Sequence, residues 1–290
     1  VVELAEMPAI PSLLALAAMT IASPSLVREG LGYRRRLGVA GVRVLYGAAV
    51  TRVEAAESGL TVHVARPTAR SAPEHTYTVD TVCLGYGFHP SNEILRALGC
   101  AHDYDATRDQ LVTRATPDGT GKTTVPTVFA LGDCTGLGGA RMALAQGTLA
   151  GLAAASELGY PIGDALEAER ARAQRELARH RRFQSALWRL YAAPHLGIEL
   201  ATPATVVCRC EEVNAGQIEA ALSERCPSIG ELKRTTRAGM GACQGRYCGP
   251  LLSSLMANRL GRTPEEDLRF APRVPLKPIP VADIARPSST

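Results

Sequence analysis

Four cysteines stand in two tight pairs, Cys208-Arg-Cys210 and Cys243-Gln-Gly-Arg-Tyr-Cys248. Thiolate is a soft donor. Four thiolates so spaced could hold an iron–sulfur cluster or a structural zinc ion. Zinc pairs usually sit roughly two to four residues apart, so Cys-x-Cys is tight for a zinc knuckle. The surroundings suit an anionic centre: Arg209, Arg237 and Arg246 bring positive charge, and Gly239 and Gly241 let backbone come close. The remaining cysteines, Cys83, Cys100, Cys134 and Cys226, lack such neighbours and read as small apolar core residues. The six histidines are scattered, with only His89 near a candidate site.

A second stretch with chemistry in it is Thr124-Val-Pro-Thr-Val-Phe-Ala-Leu-Gly132-Asp133. Residues 127–131 are a continuous apolar run, the pattern of a strand buried on both faces. It ends in Gly132-Asp133, and open α/β sheets bind ligands at the carboxyl ends of their strands. A carboxylate there can accept hydrogen bonds from sugar-type hydroxyls. A Gly-rich turn and a helix over 140–158 follow, and that helix would aim its N-terminus at an anionic group. Upstream, Asp80-Thr-Val-Cys-Leu-Gly85-Tyr-Gly87-Phe-His-Pro90 reads as a strand end and Gly-rich turn.

These residues need elements to hold them. Strands are predicted at 1–4, 42–46, 50–54, 60–65 and 76–84, and helices at 13–18, 25–37, 92–98 and 165–190, with Ser25 as the cap of the second helix. Near the cysteines, Asn214 caps a helix over 215–222, and Ser228-Ile-Gly-Glu231 is a capping box for the next. Gly249-Pro250 opens a third helix running to 260. Each cysteine pair therefore lies just before a helix start, where free N–H groups face outward. Five prolines from Phe270 onward give an extended, weakly ordered tail.

Composition bounds the reading. The chain has 290 residues, 46% hydrophobic and 21% charged, which is globular and suggests two domains or more. A net charge of +4 with 4% aromatics gives no argument for nucleic acid. No apolar run is long enough for a membrane helix. Eight cysteines are too few for a disulfide scaffold.

The cysteine segment resembles the bacterioferritin-associated ferredoxin (BFD) type of [2Fe-2S] module, which implies Cys208, Cys210, Cys243 and Cys248 as iron ligands. The 124–133 stretch resembles the second FAD motif of the pyridine nucleotide-disulfide reductase superfamily, which implies that Asp133, beside Gly132, binds the ribityl chain of FAD. The 80–90 stretch resembles the return from nucleotide domain to FAD domain and implies Gly85 and Gly87 as cofactor contacts. The order of these parts resembles the flavin and iron–sulfur subunits of amine- and imino-acid-oxidising complexes, those of opine oxidase, hydrogen cyanide synthase and dye-linked proline dehydrogenase.

That resemblance implies an α/β fold: part of a Rossmann-like flavoprotein with two dinucleotide-binding domains, plus a small helical BFD-like domain. The implied boundaries are 1–80 for the remainder of a NAD(P)-type domain, 81–163 for the C-terminal part of the FAD domain, 164–203 for a helical linker, 204–262 for the [2Fe-2S] domain and 263–290 for the tail. No Gly-x-Gly-x-x-Gly follows a strand, so the phosphate-binding loops are expected upstream of Val1 and the FAD site is incomplete within this stretch. The implied cofactors are a [2Fe-2S] cluster and FAD, with NAD(P) as an option. The implied partners are a small ferredoxin-like subunit and a substrate-oxidising flavoprotein subunit, with an amino-acid-like substrate at the level of the complex. The implied location is cytoplasmic, at a membrane only through that complex. Catalytic residues are not assigned. The competing expectation is an electron-relay or zinc-stabilised interaction module with no substrate chemistry of its own.

Overall fold

The computed structural model describes residues 3–8, 10–67, 74–192, 198–223, 228–276 and 279–285. It begins with strand β1 (Glu3–Glu6) and helices α1 (Leu13–Ala22) and α2 (Pro24–Val39). Strands β2 (Arg43–Tyr46), β3 (Ala49–Ala55), β4 (Leu60–Ala65) and β5 (His75–Val79) follow. Next come α3 (Glu93–Ala97), β6 (His102–Asp105), β7 (Gln110–Thr113), α4 (Ala140–Glu157) and α5 (Asp164–Leu190). The C-terminal part holds β8 (Val206–Cys208), β9 (Val213–Asn214), α6 (Ala215–Ser223), α7 (Ile229–Thr236), α8 (Gly249–Leu260) and α9 (Val281–Ile284).

The chain divides into two compact units. The first comprises residues 1–88, 118–120 and 138–200. In it β1 and β2 pair in parallel, Glu3 opposite Arg43, and β3, β4 and β5 form an antiparallel sheet. The apolar side of that sheet buries Ala48, Val62 and Val64. Helix α5 is rich in Arg and Glu, yet Ala173, Leu177, His180, Phe183 and Ala186 recur at three- and four-residue spacing and are buried. They pack against Ala145 and Leu149 of α4 and Met19 of α1.

The second unit comprises residues 89–117, 121–137 and 201–290. Its largest core gathers Cys208, Val213, Ile218, Ala221, Ile229, Leu232, Cys248, Leu252 and Met256 from β8, β9 and the three helices. A smaller core holds Leu95, Cys100 and Ala130. Glu266 ties the parts together, meeting Arg96 Nε at 3.1 Å and His102 Nδ1 at 3.1 Å.

Several sequence expectations change. No strand covers 127–131; a single bridge joins Lys122 and Phe129. Pro126 lacks an N–H, and Thr127 has φ of 67°, which a β-branched residue in a ladder cannot keep. The strand expected over 76–84 stops at Val79, because Val79 pairs with Leu60, the first residue of β4, and no partner backbone lies beyond it. The second helix starts at Pro24, so the cap position is Ser23 rather than Ser25. The β6–β7 hairpin lacks the alternating apolar pattern of a strand; its turn is set by Asp105, which accepts hydrogen bonds from Thr107 N–H at 3.0 Å and Thr107 Oγ1 at 2.6 Å. Residues 1–2 of the first expected strand lie outside the described residues, as does Cys226. Cys100 is buried as expected, Cys134 is half-buried, and Cys83 is exposed because the chain around it forms no strand. Nor is the start of the tail loose: the Phe270 ring packs onto the main core of the second unit.

Candidate metal centre

The cysteine pairs are placed by helix caps. Asn214 N–H donates to Gln217 Oε1 at 2.9 Å while Gln217 N–H donates to Asn214 Oδ1 at 2.9 Å, a reciprocal box that starts α6 directly after the first pair. Ser228 Oγ accepts from Glu231 N–H at 3.2 Å and starts α7. Arg237 ends α7 in the left-handed conformation, φ 65°, and its Nε donates to Glu211 Oε2 at 2.9 Å. Cys248 is the cap residue of α8, with Pro250 in the first turn.

Two glycines make the close approach possible. A Cβ on Gly241 would run into Cys210 Cβ. Gly245 has φ of 79°, and a Cβ there would enter the Phe270 ring. Lys233 Nζ lies 5.1 Å from the centroid of that ring, a cation–π contact. Arg246 anchors the loop between Cys243 and Cys248: it donates to Cys243 O at 3.0 Å and to Leu276 O, and its Nε lies 3.2 Å from Glu93 Oε1.

Electrostatically the Cys248 thiol feels Cys208 and, more weakly, Cys243, while the Cys243 thiol feels Cys210. Cys208 and Cys248 are buried, at 1% and 3% exposure, whereas Cys243 is half-buried and Cys210 exposed. Gly239 N–H points at Cys208 Sγ at 3.5 Å. Burial pushes the Cys248 thiol up to about 12, with the neighbouring Cys208 and Cys243 sulfurs adding to it. Cys243 behaves in the opposite way. Burial alone would raise it, but the backbone N–H of Tyr247, the Cys210 thiol and the N–H groups of Gly245 and Arg246 outweigh that and hold it below the usual thiol value. Among the described residues, no three His, Cys, Asp or Glu side chains converge on one point as a single-ion site.

A [2Fe-2S] cluster takes four thiolates, two on each iron. Four cysteines around one helix-capped core, Cys208 and Cys248 within it and Gly239 N–H on the Cys208 sulfur, fit that group in number and chemistry. The backbone donor was not legible in sequence, because it depends on the loop conformation; the glycines at 239 and 241 were the signal.

The flavin-type residues sit differently. Gly132 and Asp133 lie in one 3₁₀ turn, Gly132–Thr135, with Gly132 buried and Asp133 exposed. Cys134 Sγ donates to Leu131 O at 3.1 Å, and burial raises its thiol. Gly85 and Gly87 lie in the irregular segment after β5 and are exposed. They belong to the first unit, Gly132 and Asp133 to the second. His89 is exposed in the Gly-Phe-His-Pro segment.

Residues 31–151 match the pyridine nucleotide-disulphide oxidoreductase family, and residues 206–258 match the BFD-like [2Fe-2S] binding domain. These matches fit a Rossmann-like flavoprotein fold with a C-terminal BFD-like [2Fe-2S] domain. In sequence the chain is similar to one of the opine oxidase subunits of Rhizobium meliloti (strain 1021), 33% identical over 269 residues, covering 93% of this chain and 57% of that protein. It is similar to hydrogen cyanide synthase subunit HcnB of Pseudomonas protegens, 31% identical over 261 residues, covering 89% of this chain and 55% of that one. The fold is also that of L-proline dehydrogenase from P. horikoshii, with a TM-score of 0.62 at 17% identity over 98% of this chain and 50% of that one. The chain spans a little over half the length of these curated relatives. The cofactors that go with the two matched families are FAD and a [2Fe-2S] cluster.

Proposed function

We propose that this chain is part of an FAD- and [2Fe-2S]-dependent oxidoreductase subunit that relays electrons in the oxidation of an amino- or imino-acid-like substrate. The observation that carries it is that Cys208 and Cys248, one from each sequence pair, lie in one helix-capped core, with Cys210 and Cys243 beside them at its edge. The names of the similar subunits, those of opine oxidase and hydrogen cyanide synthase, support work within a multi-subunit enzyme, and the first of them an opine-type substrate. The proposed partners are a small ferredoxin-like subunit and a substrate-oxidising flavoprotein subunit.

In this reading Cys208, Cys210, Cys243 and Cys248 ligate the two irons. When bound, the flavin accepts two electrons as a hydride and releases them singly, and the cluster passes one at a time. The chain's own residues do the rest. Gly239 N–H and the N–H groups of Gly245, Arg246 and Tyr247 offset negative charge on the sulfurs. Phe270, packed beneath the glycine loops, keeps water from that side. Asp133, exposed in its turn, would accept hydrogen bonds from ribityl hydroxyls, and Gly132 beside it would let backbone approach the cofactor. NAD(P) is an option for the first unit.

The test is anaerobic titration of the full-length protein with dithionite. The reading expects about three electrons per chain, two bleaching a flavin band and one bleaching a thiolate-to-iron band. Uptake of about two electrons with only flavin bleaching removes the cluster from the account.

A further inference from the structure

Past helix α8 the chain makes a 3₁₀ turn, Glu266–Leu268, and then runs extended. Leu268 and Phe270 both join the main core of the second unit. Arg269 stands between them with φ −102° and ψ 150°, so its side chain leaves on the other face. There it lines a cavity of about 420 Å³ together with Arg96 and Ala97 of α3, Glu266 and Asp267. All of these residues belong to the second unit.

The carboxylates of this lining are already engaged. Glu266 meets Arg96 Nε and His102 Nδ1, each at 3.1 Å. Asp267 Oδ2 accepts from Arg262 Nη2. Arg269 is different: its Nε and Nη2 are out of reach of solvent and have no hydrogen-bond partner among the described residues. Asp109 acts on it only from a distance, and Asp109 Oδ1 accepts from Tyr104 Oη at 2.7 Å. A buried charged donor left unmade is costly and calls for a partner. Nε and Nη2 form the edge of a guanidinium that takes a carboxylate or phosphate side-on. The volume exceeds that of a bare ion and lies within the range of small-molecule sites. We propose that this cavity binds a small molecule bearing a carboxylate or phosphate group, held side-on by Arg269 as its side chain turns into the cavity and by Arg96, whose Nε alone is given to Glu266.

The experiment is calorimetric titration of the full-length holo protein with inorganic phosphate and, separately, with acetate, at constant ionic strength so that general charge screening does not change. Saturable binding of at least one of the two is expected, and the one that binds tells which headgroup the site takes. Arg269→Gln is expected to weaken that binding by at least about tenfold, as the loss of a charged hydrogen bond would. Arg114→Gln removes an equal charge from the exposed surface beside β7 and is expected to leave binding unchanged. Should Arg269→Gln fail to fold, Ala97→Glu serves instead: Ala97 is an exposed helix position, and a carboxylate there enters the cavity and is expected to abolish binding. No saturable binding of either anion overturns the proposal. So does binding that survives Arg269→Gln or Ala97→Glu unchanged, or that falls equally with Arg114→Gln.

Discussion

Cys243 and Cys248 are neighbours in one loop yet meet opposite environments: backbone N–H groups hold the first below the usual thiol value, and burial drives the second up to about 12. Their identity as a pair was legible from spacing alone. Their inequality was not, since it comes from which thiol the α8 cap turns inward. Asp133 was legible as a ligand candidate from its place after an apolar run, although that run forms no strand. Replacing Asp133 by Ala in the full-length protein is expected to speed flavin loss on dilution by about tenfold, as one lost charged hydrogen bond would. Unchanged retention would remove Asp133 from the flavin site. His102 and His180 offer a test of burial. Burial lowers both below the ordinary 6.5, with Glu266 opposing it at His102, and Arg179 adding to and Glu176 opposing it at His180. The unfolded chain then takes up the proton more readily than the folded one. Their contribution is complete above about pH 6.5 and declines as pH falls from there toward the lowered folded values, by at most about 1.4 kcal/mol per pH unit for each proton. Urea unfolding from pH 7.5 to 5 should show this loss, and His180→Gln should flatten it; an unchanged slope in the variant contradicts the assignment.

At the scale of elements, the caps carried the most information. The Asn214–Gln217 and Ser228–Glu231 boxes depend on residues three apart, so sequence placed the starts of α6 and α7 well. The strand expected over 127–131 and the β6–β7 hairpin went the other way. Both depend on which distant backbone is free to pair, and on a φ of 67° at Thr127 that no periodicity announces. Helix α8 joins caps to packing: Cys248 starts it while Leu252 and Met256, on the same face, are 0% exposed. Leu252→Ala should therefore cost about 2–5 kcal/mol in the second unit, measured by thermal or urea unfolding. A cost below about 1 kcal/mol would mean that this face is not the core described.

Across the whole molecule, composition indicated a globular chain, and the order of motifs resembled that of a flavoprotein carrying an iron–sulfur module. The division into two units with residues 89–117 and 121–137 sharing a unit with the cysteine module was not legible, because Arg96, His102 and Glu266 are far apart in sequence. No helix among the described residues is long and apolar enough to cross a membrane. The central claim is that Cys208, Cys210, Cys243 and Cys248, gathered around one helix-capped core, hold a two-iron centre. The most direct measurement is anaerobic purification of the full-length protein with iron, acid-labile sulfide and zinc analysis beside a visible spectrum. The account predicts about two iron and two sulfide per chain, with a broad thiolate-to-iron band that bleaches with dithionite. About one zinc per chain, with no sulfide and no such band, would contradict it.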